Sequence, residues 1–274
     1  MFTSARLQGN QLALVHDAGG VPDAIQHAFA RETKLSETSF VQPAEADGAD
    51  YRHRIWMMSG EIPFAGHPSL GTAVAVARAR GESSASFVQQ THPGLQRVDV
   101  EVSGTAARAS MLQEPPSFGA ELDAAEVLPF VGLARDDAAS ELPVQVVSTG
   151  APQVIVPVAD PAALARARPD YDEIGPLLAT HDAIVYYLVH IDGRTVRARS
   201  FLRTAEMGED PATGAAAGPL CAYVAQRTGV EAVEIDQGVE MGRASRLRAA
   251  IDGDRVRVGG DAVVVVDGTV HLDF

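Results

Sequence analysis

Cysteine is nearly absent. Cys221 is the single one in 274 residues, so no disulfide can close within the chain and no cysteine-based metal cluster fits. Aromatic residues make up only 5%, which leaves Val, Ala, Leu and Ile to build the core. Positive charge is also short, and the formal net charge is −14. A surface that negative repels phosphate backbones and anionic headgroups, so nucleic acid and membrane are excluded as expected partners. A cleft with a local field of the opposite sign still admits an anionic substrate. The apolar stretches around Val74 and Val264 fall far short of the run of about 20 residues that spans a bilayer. The start, Met-Phe-Thr-Ser-Ala-Arg, lacks the basic-then-apolar pattern of a signal peptide, and the expected location is cytoplasmic. No Walker loop, Gly-x-Gly-x-x-Gly, Gly-x-Ser-x-Gly or His-Glu-x-x-His occurs. His16, His27, His53, His92, His181, His190 and His271 are scattered without ligand spacing, so no metal site is expected.

What is present is a globular profile, 46% hydrophobic and 21% charged, long enough for two domains. Short β-branched or alternating segments predict strands over Arg52–Met58, Val98–Val102, Val144–Ser148, Gln153–Val158, Ile184–Ile191, Val196–Leu202, Arg246–Ile251 and Ala262–Val266. Asp192-Gly193, Asp252-Gly253 and Asp267-Gly268 are hairpin dipeptides, which makes much of the sheet antiparallel. Helical spacing appears over Val21–Lys34, Pro161–Ala167, Tyr171–Ala179 and Ala124–Val131. Two further helices, starting near Pro68 and Ala212, are apolar on nearly all sides and so belong inside a core. Pro219 is expected to kink or restart the second.

These two helices repeat one pattern. His67-Pro68-Ser69-Leu70-Gly71 aligns with Asp210-Pro211-Ala212-Thr213-Gly214, 143 positions later. A strand and an acidic residue precede each (Glu61; Glu209), and a glycine closes each (Gly81; Gly229). Similarity at half the chain length implies two equivalent lobes, expected over residues 1–116 and 120–268, with Pro115–Gly119 as a linker. A final strand at 269–274 is a candidate to join the first lobe.

A helix start offers unpaired backbone N–H groups and partial positive charge, and a glycine in its first turn lets an anion approach closely. Two such starts facing one cleft would grip carboxylates without basic side chains. His67 and Asp210, which lead the motifs, can both carry protons; read singly, His67 is a loop histidine and Asp210 an N-cap.

At these residues the chain resembles a known family. Glu61-Ile62-Pro63-Phe64-Ala65-Gly66-His67-Pro68-Ser69-Leu70-Gly71-Thr72-Ala73 is similar to the central motif of the PhzF-like phenazine-biosynthesis family. Glu209–Gly214 with Ala216–Leu220 resembles its second motif, Gly9–Val15 its N-terminal segment, and Leu35–Val41 the segment carrying its acid/base glutamate. The resemblance implies an α+β fold like that of diaminopimelate epimerase, each lobe a mostly antiparallel barrel-like sheet around a central apolar helix. It implies a homodimer, no cofactor, and an isomerase that moves a proton on a small carboxylate-bearing substrate in a cleft between the lobes. Glu37 becomes the general acid/base, with His67 and Asp210 assisting. Gly66, Ser69, Gly71, Thr72, Thr213, Gly214 and Ala215 become the substrate-binding positions. Closure around the substrate is expected to desolvate Glu37 and raise its pKa toward the operating pH.

Ala215 stands where the family usually has serine, Trp56–Gly60 departs from its more polar stretch, and only Met1 precedes the Phe-Thr at which the resemblance begins. Ala215 is the feature that would favour the other reading, a non-catalytic carboxylate binder or scaffold of the same fold. A cysteine-type racemase would need a cysteine at each helix mouth, and Cys221 lies too far along its helix to serve.

Overall fold

The β-branched segments and turn dipeptides form a largely antiparallel α+β structure in the computed structural model, which describes residues 1–63 and 65–272. The chain divides into two units: Met1–Met111 with the chain from Gly259 onward, and Leu112–Val258.

The first unit runs β1 (Ala13–Val15), α1 (Asp23–Thr33), β2 (Thr38–Gln42), β3 (Tyr51–Met57), β4 (Gly60–Ile62), α2 (Gly66–Arg80), β5 (Ser84–Thr91), β6 (Gly94–Ser103) and β7 (Ala106–Gln113). The strands are ordered β1-β2-β3-β5-β6-β7, with β4 beside β3. β1/β2 and β3/β5 are parallel, and the other pairs are antiparallel.

The second unit holds β8 (Ser117–Leu122), α3 (Ala124–Val127), β9 (Val144–Ser148), β10 (Pro152–Pro157), α4 (Pro161–Arg166), α5 (Tyr171–Thr180), β11 (Tyr186–Asp192), β12 (Thr195–Phe201), β13 (Glu209–Asp210), α6 (Gly214–Thr228), β14 (Ala232–Gln237) and β15 (Ser245–Asp252). β16 (Arg255–Val263) follows, and the division between the units falls within it. The order is β15-β14-β12-β11-β10-β9-β8, with β13 beside β12. Here β10/β11 and β12/β14 are the parallel pairs. Each unit therefore follows one plan: a helical crossover between parallel strands, an antiparallel return carrying a short strand, then an apolar helix leading to a second parallel strand.

The two apolar helices are central, as their composition requires. α2 packs against β2, β3, β5 and β6, and α6 against β9, β10, β14 and β15. Ten of the fifteen residues in each are buried. Both end at a left-handed glycine, Gly81 (φ 72°) and Gly229 (φ 76°), whose N–H caps the last turn. α6 runs through Pro219 without a break; a proline at its sixth position removes only the bond to the Ala215 carbonyl. Among the described residues no helix is long and apolar enough to cross a membrane.

Several expectations are corrected. The Pro115–Gly119 stretch is not a free linker, because β8 begins at Ser117 and pairs antiparallel with β9. The valines after Val263 form no strand, and Val266 is 85% exposed, so Asp267-Gly268 turns no hairpin. The strand actually lies earlier, at Arg255–Val263, where charged and apolar residues alternate. The expected strand at 269–274 falls partly outside the described residues; 269–272 is not strand.

The repeat holds in a different register. α2 starts at Gly66 and α6 at Gly214, and their closing glycines are Gly81 and Gly229, so the helices correspond at 148 positions and not at 143. The motif match His67/Asp210 places a residue inside a helix opposite one in a strand.

Candidate active site

In the first unit β2 and α2 bring Glu37 and His67 together. Glu37 immediately precedes β2, and His67 is the second residue of α2. The Nε2 atom of His67 lies 3.1 Å from Glu37 Oε2, with side-chain exposures of 6% and 14%. The same Nε2 lies 3.1 Å from the carbonyl of Gln11. A carbonyl only accepts, so Nε2 carries a hydrogen and donates it there. Glu37 Oε2 sits beside that bond without sharing it: it is a buried carboxylate oxygen with no hydrogen-bond donor.

Burial alone would push the Glu37 carboxyl up. The His67 ring and the Ser36 hydroxyl more than offset it and hold the group below its ordinary value. The carboxyl is therefore ionised at neutral pH, the state in which it takes a proton.

A second polar cluster fixes the spacing behind this pair. His53 on β3 is fully buried; its Nε2 lies 2.8 Å from Ser39 Oγ on β2 and 3.1 Å from Thr72 Oγ1 on α2. Burial pushes the imidazole down to about 3, against a weaker opposing pull from Gln89, so it is neutral at physiological pH. His53 thus joins the strand that follows Glu37 to the helix that carries His67.

The other first-unit positions lie nearby, in the first half of α2. The first amides of α2, on Gly66 and His67, have no carbonyl behind them in the helix. Ser69 is fully buried and returns its hydroxyl to the Ala65 carbonyl at 2.9 Å. Thr72 is fully buried and spends its hydroxyl on His53. Gly71 is the sixth residue of α2, beyond the first turn; a Cβ there would stand 2.6 Å from Leu12 Cδ2 and 3.2 Å from Met1 Cγ, so glycine permits close packing.

In the second unit Asp210 lies in β13, paired with Ser200 of β12, and is not the N-cap of α6; Thr213 occupies that place. The Thr213 hydroxyl meets Asp210 Oδ2 and lies 2.9 Å from Ser200 Oγ. Gly214 and Ala215 supply the first two amides of α6, while Ala216 N–H already bonds the Thr213 carbonyl. The Gly214 carbonyl accepts from Gln113 Nε2 at 2.9 Å.

Each unit also binds the acidic residue of its short strand through both carboxylate oxygens. Arg54 of β3 meets Glu61 at 2.7 and 2.6 Å, and Arg199 of β12 meets Glu209 at 2.9 and 2.7 Å. Each arginine also lies over an aromatic ring two residues on, Trp56 at 5.2 Å and Phe201 at 4.9 Å. Sequence reading flagged both glutamates but neither arginine. It also passed over His53 as one of several scattered histidines, and over Gln237. The 148-residue register pairs Gln237 with Gln89, a signal hidden by the 143-residue alignment. Among the described residues no group of three or more His, Cys, Asp or Glu side chains could hold a metal ion.

Comparison with known proteins identifies the family. The family model described as phenazine biosynthesis-like protein matches residues 1–268. The trans-2,3-dihydro-3-hydroxyanthranilate isomerase of Pseudomonas fluorescens is 35% identical, over 99% of this chain and 97% of that one. A solved structure of a predicted epimerase from Pseudomonas aeruginosa superposes with a TM-score of 0.82 at 33% identity, covering 97% of each chain. The PhzF-family phenazine biosynthesis protein of Bacillus anthracis superposes with a TM-score of 0.83 at 26% identity, covering 97% of this chain and 96% of that one. The chain belongs to the phenazine biosynthesis-like family, a family of isomerases.

Proposed function

We propose that this protein is a cofactor-independent isomerase that moves a proton on a small, conjugated carboxylate-bearing substrate, with Glu37 as general acid/base. One observation carries the reading. Glu37 Oε2 is buried and without a hydrogen-bond partner, and the His67 ring N–H stands 3.1 Å away, directed at the Gln11 carbonyl. Such an oxygen is an acceptor kept free for a proton that the resting protein does not supply.

Glu37 takes a proton from a carbon next to the substrate's conjugated system. The negative charge moves toward the substrate's oxygens, and each unit offers a helix start whose first amides suit such charge: Gly66 and His67 on α2 in the first, Gly214 and Ala215 on α6 in the second. The carboxylic acid form of Glu37 then returns the proton to a different carbon. His67 keeps its Nε2 hydrogen on Gln11 throughout and acts by stabilising the carboxylate. Asp210, held by the Thr213 hydroxyl, is the second proton-handling group. The relative from Pseudomonas fluorescens suggests dihydrohydroxyanthranilates as the first substrates to try.

The test is incubation with trans-2,3-dihydro-3-hydroxyanthranilate and a panel of related cyclic carboxylates in heavy water. Enzyme-dependent deuterium uptake at carbon, lost in Glu37→Gln, is the expected result. Uptake by the variant at the parent rate would remove Glu37 from the reaction.

A further inference from the structure

Gln237 is completely buried at the end of β14, and all four hydrogen-bonding positions of its amide are used. Its Nε2 donates to the Asp210 carbonyl at 2.7 Å and to Thr213 Oγ1 at 3.1 Å. Its Oε1 accepts from the Tyr187 hydroxyl at 2.9 Å and from the Thr213 N–H at 3.3 Å. Two of these partners leave no ambiguity about which end is which, because the Asp210 carbonyl only accepts and the Thr213 N–H only donates.

The orientation has a consequence for Thr213. Its oxygen receives one hydrogen from Gln237, so its own hydrogen is free to go outward. A carboxylate is a stronger acceptor than a hydroxyl, so the hydrogen goes to Asp210 Oδ2, and Ser200 takes the weaker role. Gln237 therefore touches the site from three sides: the backbone of Asp210, and the backbone and side chain of the residue that caps α6.

We propose that Gln237 is a positioning residue that sets both the Asp210 carboxylate and the first amides of α6, acting through Thr213. This rests on the isomerase reading, in which Asp210 and those amides face the substrate. Gln89 holds the corresponding place in the first unit, but its amide accepts from the Tyr51 hydroxyl at 3.2 Å and donates to Gln96 at 2.8 Å, two residues that lie outside the helix-start motif. The positioning role therefore belongs to the second unit.

The experiment begins with the parent enzyme on the substrates above. With an active parent, Gln237→Glu, which keeps the volume but loses the donors, should lower kcat at least 30-fold with a smaller change in KM. Thr213→Val should lose a similar factor, and Thr213→Ser at least tenfold less than Thr213→Val. The double variant Gln237→Glu/Thr213→Val should fall no further than the worse single one, since both break one path. Losses that multiply, or that follow the drop in Tm with no difference between Ser and Val at 213, would overturn the proposal. A parent with no activity on any substrate counts against the isomerase reading alone. The geometric claim is then read from amide hydrogen exchange: residues 213–216 should exchange at least tenfold faster in Gln237→Leu or Gln237→Met, whichever folds, than in the parent, and unchanged exchange there would overturn it.

Discussion

His67 lies within 3.1 Å of Glu37 yet gives its hydrogen to Gln11, so the closest cation-forming group to the buried carboxylate is not its hydrogen-bond donor. The pairing stabilises negative charge on Glu37 while leaving Oε2 open. A carboxylate fully bonded to donors would be a poorer base, and one left alone in the same burial would have its pKa pushed up.

Glu37→Gln should therefore separate activity from stability. Turnover should fall by roughly 10²–10⁴-fold, the usual share of a general acid/base group. The thermal midpoint at neutral pH should fall only modestly, because the amide fills the same space and only the ionised form's contribution is lost. The acid limb should differ. Since the folded pKa of Glu37 lies below its ordinary value, its ionised form stabilises the protein above the unfolded pKa, and that contribution is lost as pH falls through the folded value. Urea unfolding of parent and variant from pH 6 to pH 3 should show the parent losing more stability at the acid end. Parallel curves would mean that the carboxylate is not held by His67 and Ser36.

His53 should make the fold acid-labile in a higher window. Its folded pKa is pushed down to about 3, well below an unfolded histidine near 6.5. The unfolded chain binds the extra proton first, so stability falls as pH drops below about 6.5 and keeps falling until the folded value is reached. At pH 5 this one group costs about 2 kcal/mol relative to pH 7. His53→Gln should remove that part of the slope, whatever it does to the absolute stability. A variant with the parent's slope between pH 6.5 and 5 would show that His53 is not the buried neutral group described.

Much of this architecture was legible because the signals were strong and local. Two helices apolar on all sides can only sit inside a sheet, and Asp192-Gly193 and Asp252-Gly253 do turn hairpins, with Gly193 and Gly253 at positive φ. The register of the repeat was not legible, because Pro-x-x-Gly matched by letters across two different structural places: Gly214 opens α6, whereas Gly71 is a full turn inside α2. The site's supporting contacts were hidden for a related reason. Gln11 contributes a backbone carbonyl, which any residue could supply, and Gln237 comes to Asp210 from 27 residues away through strand pairing. Glu37 itself carries no local mark; only the family resemblance singled it out.

The new register gives Gly71 a packing role that substitution can test. A methyl group there would press on Leu12 and Met1, and overpacking of this kind costs about 1–3 kcal/mol, set against a gain of about 1 kcal/mol from replacing glycine within a helix. Gly71→Ala should lower the thermal midpoint by a few degrees or leave it nearly level if Leu12 yields, with KM for any substrate close to the parent's. A large rise in KM at unchanged stability would show instead that Gly71 serves as an anion-binding position.

The two Arg–Glu pairs offer a comparison inside one molecule, since their geometry is the same and their burial is not. Arg199 and Glu209 are 8% and 14% exposed, and Arg199 also donates to the carbonyls of Leu164 and Ala167 at the end of α4. Arg54 and Glu61 are 10% and 37% exposed, and Arg54 has a second carboxylate, Asp23, within 2.6 Å. Removing one member of a buried pair leaves the other charge without compensation, at a cost of about 3–5 kcal/mol. The half-open pair should cost about 1 kcal/mol or less, because water and Asp23 take over from Glu61. Glu209→Gln should therefore lower stability well beyond Glu61→Gln in denaturant titrations at pH 7, and 0.5 M salt should shrink only the Glu61 effect, since screening reaches exposed charges far more than buried ones. Equal losses at the two positions would show that burial is not what separates the pairs. The second unit's short strand, which carries Asp210 beside Glu209, would then be held by its backbone pairing with β12 and not by Arg199.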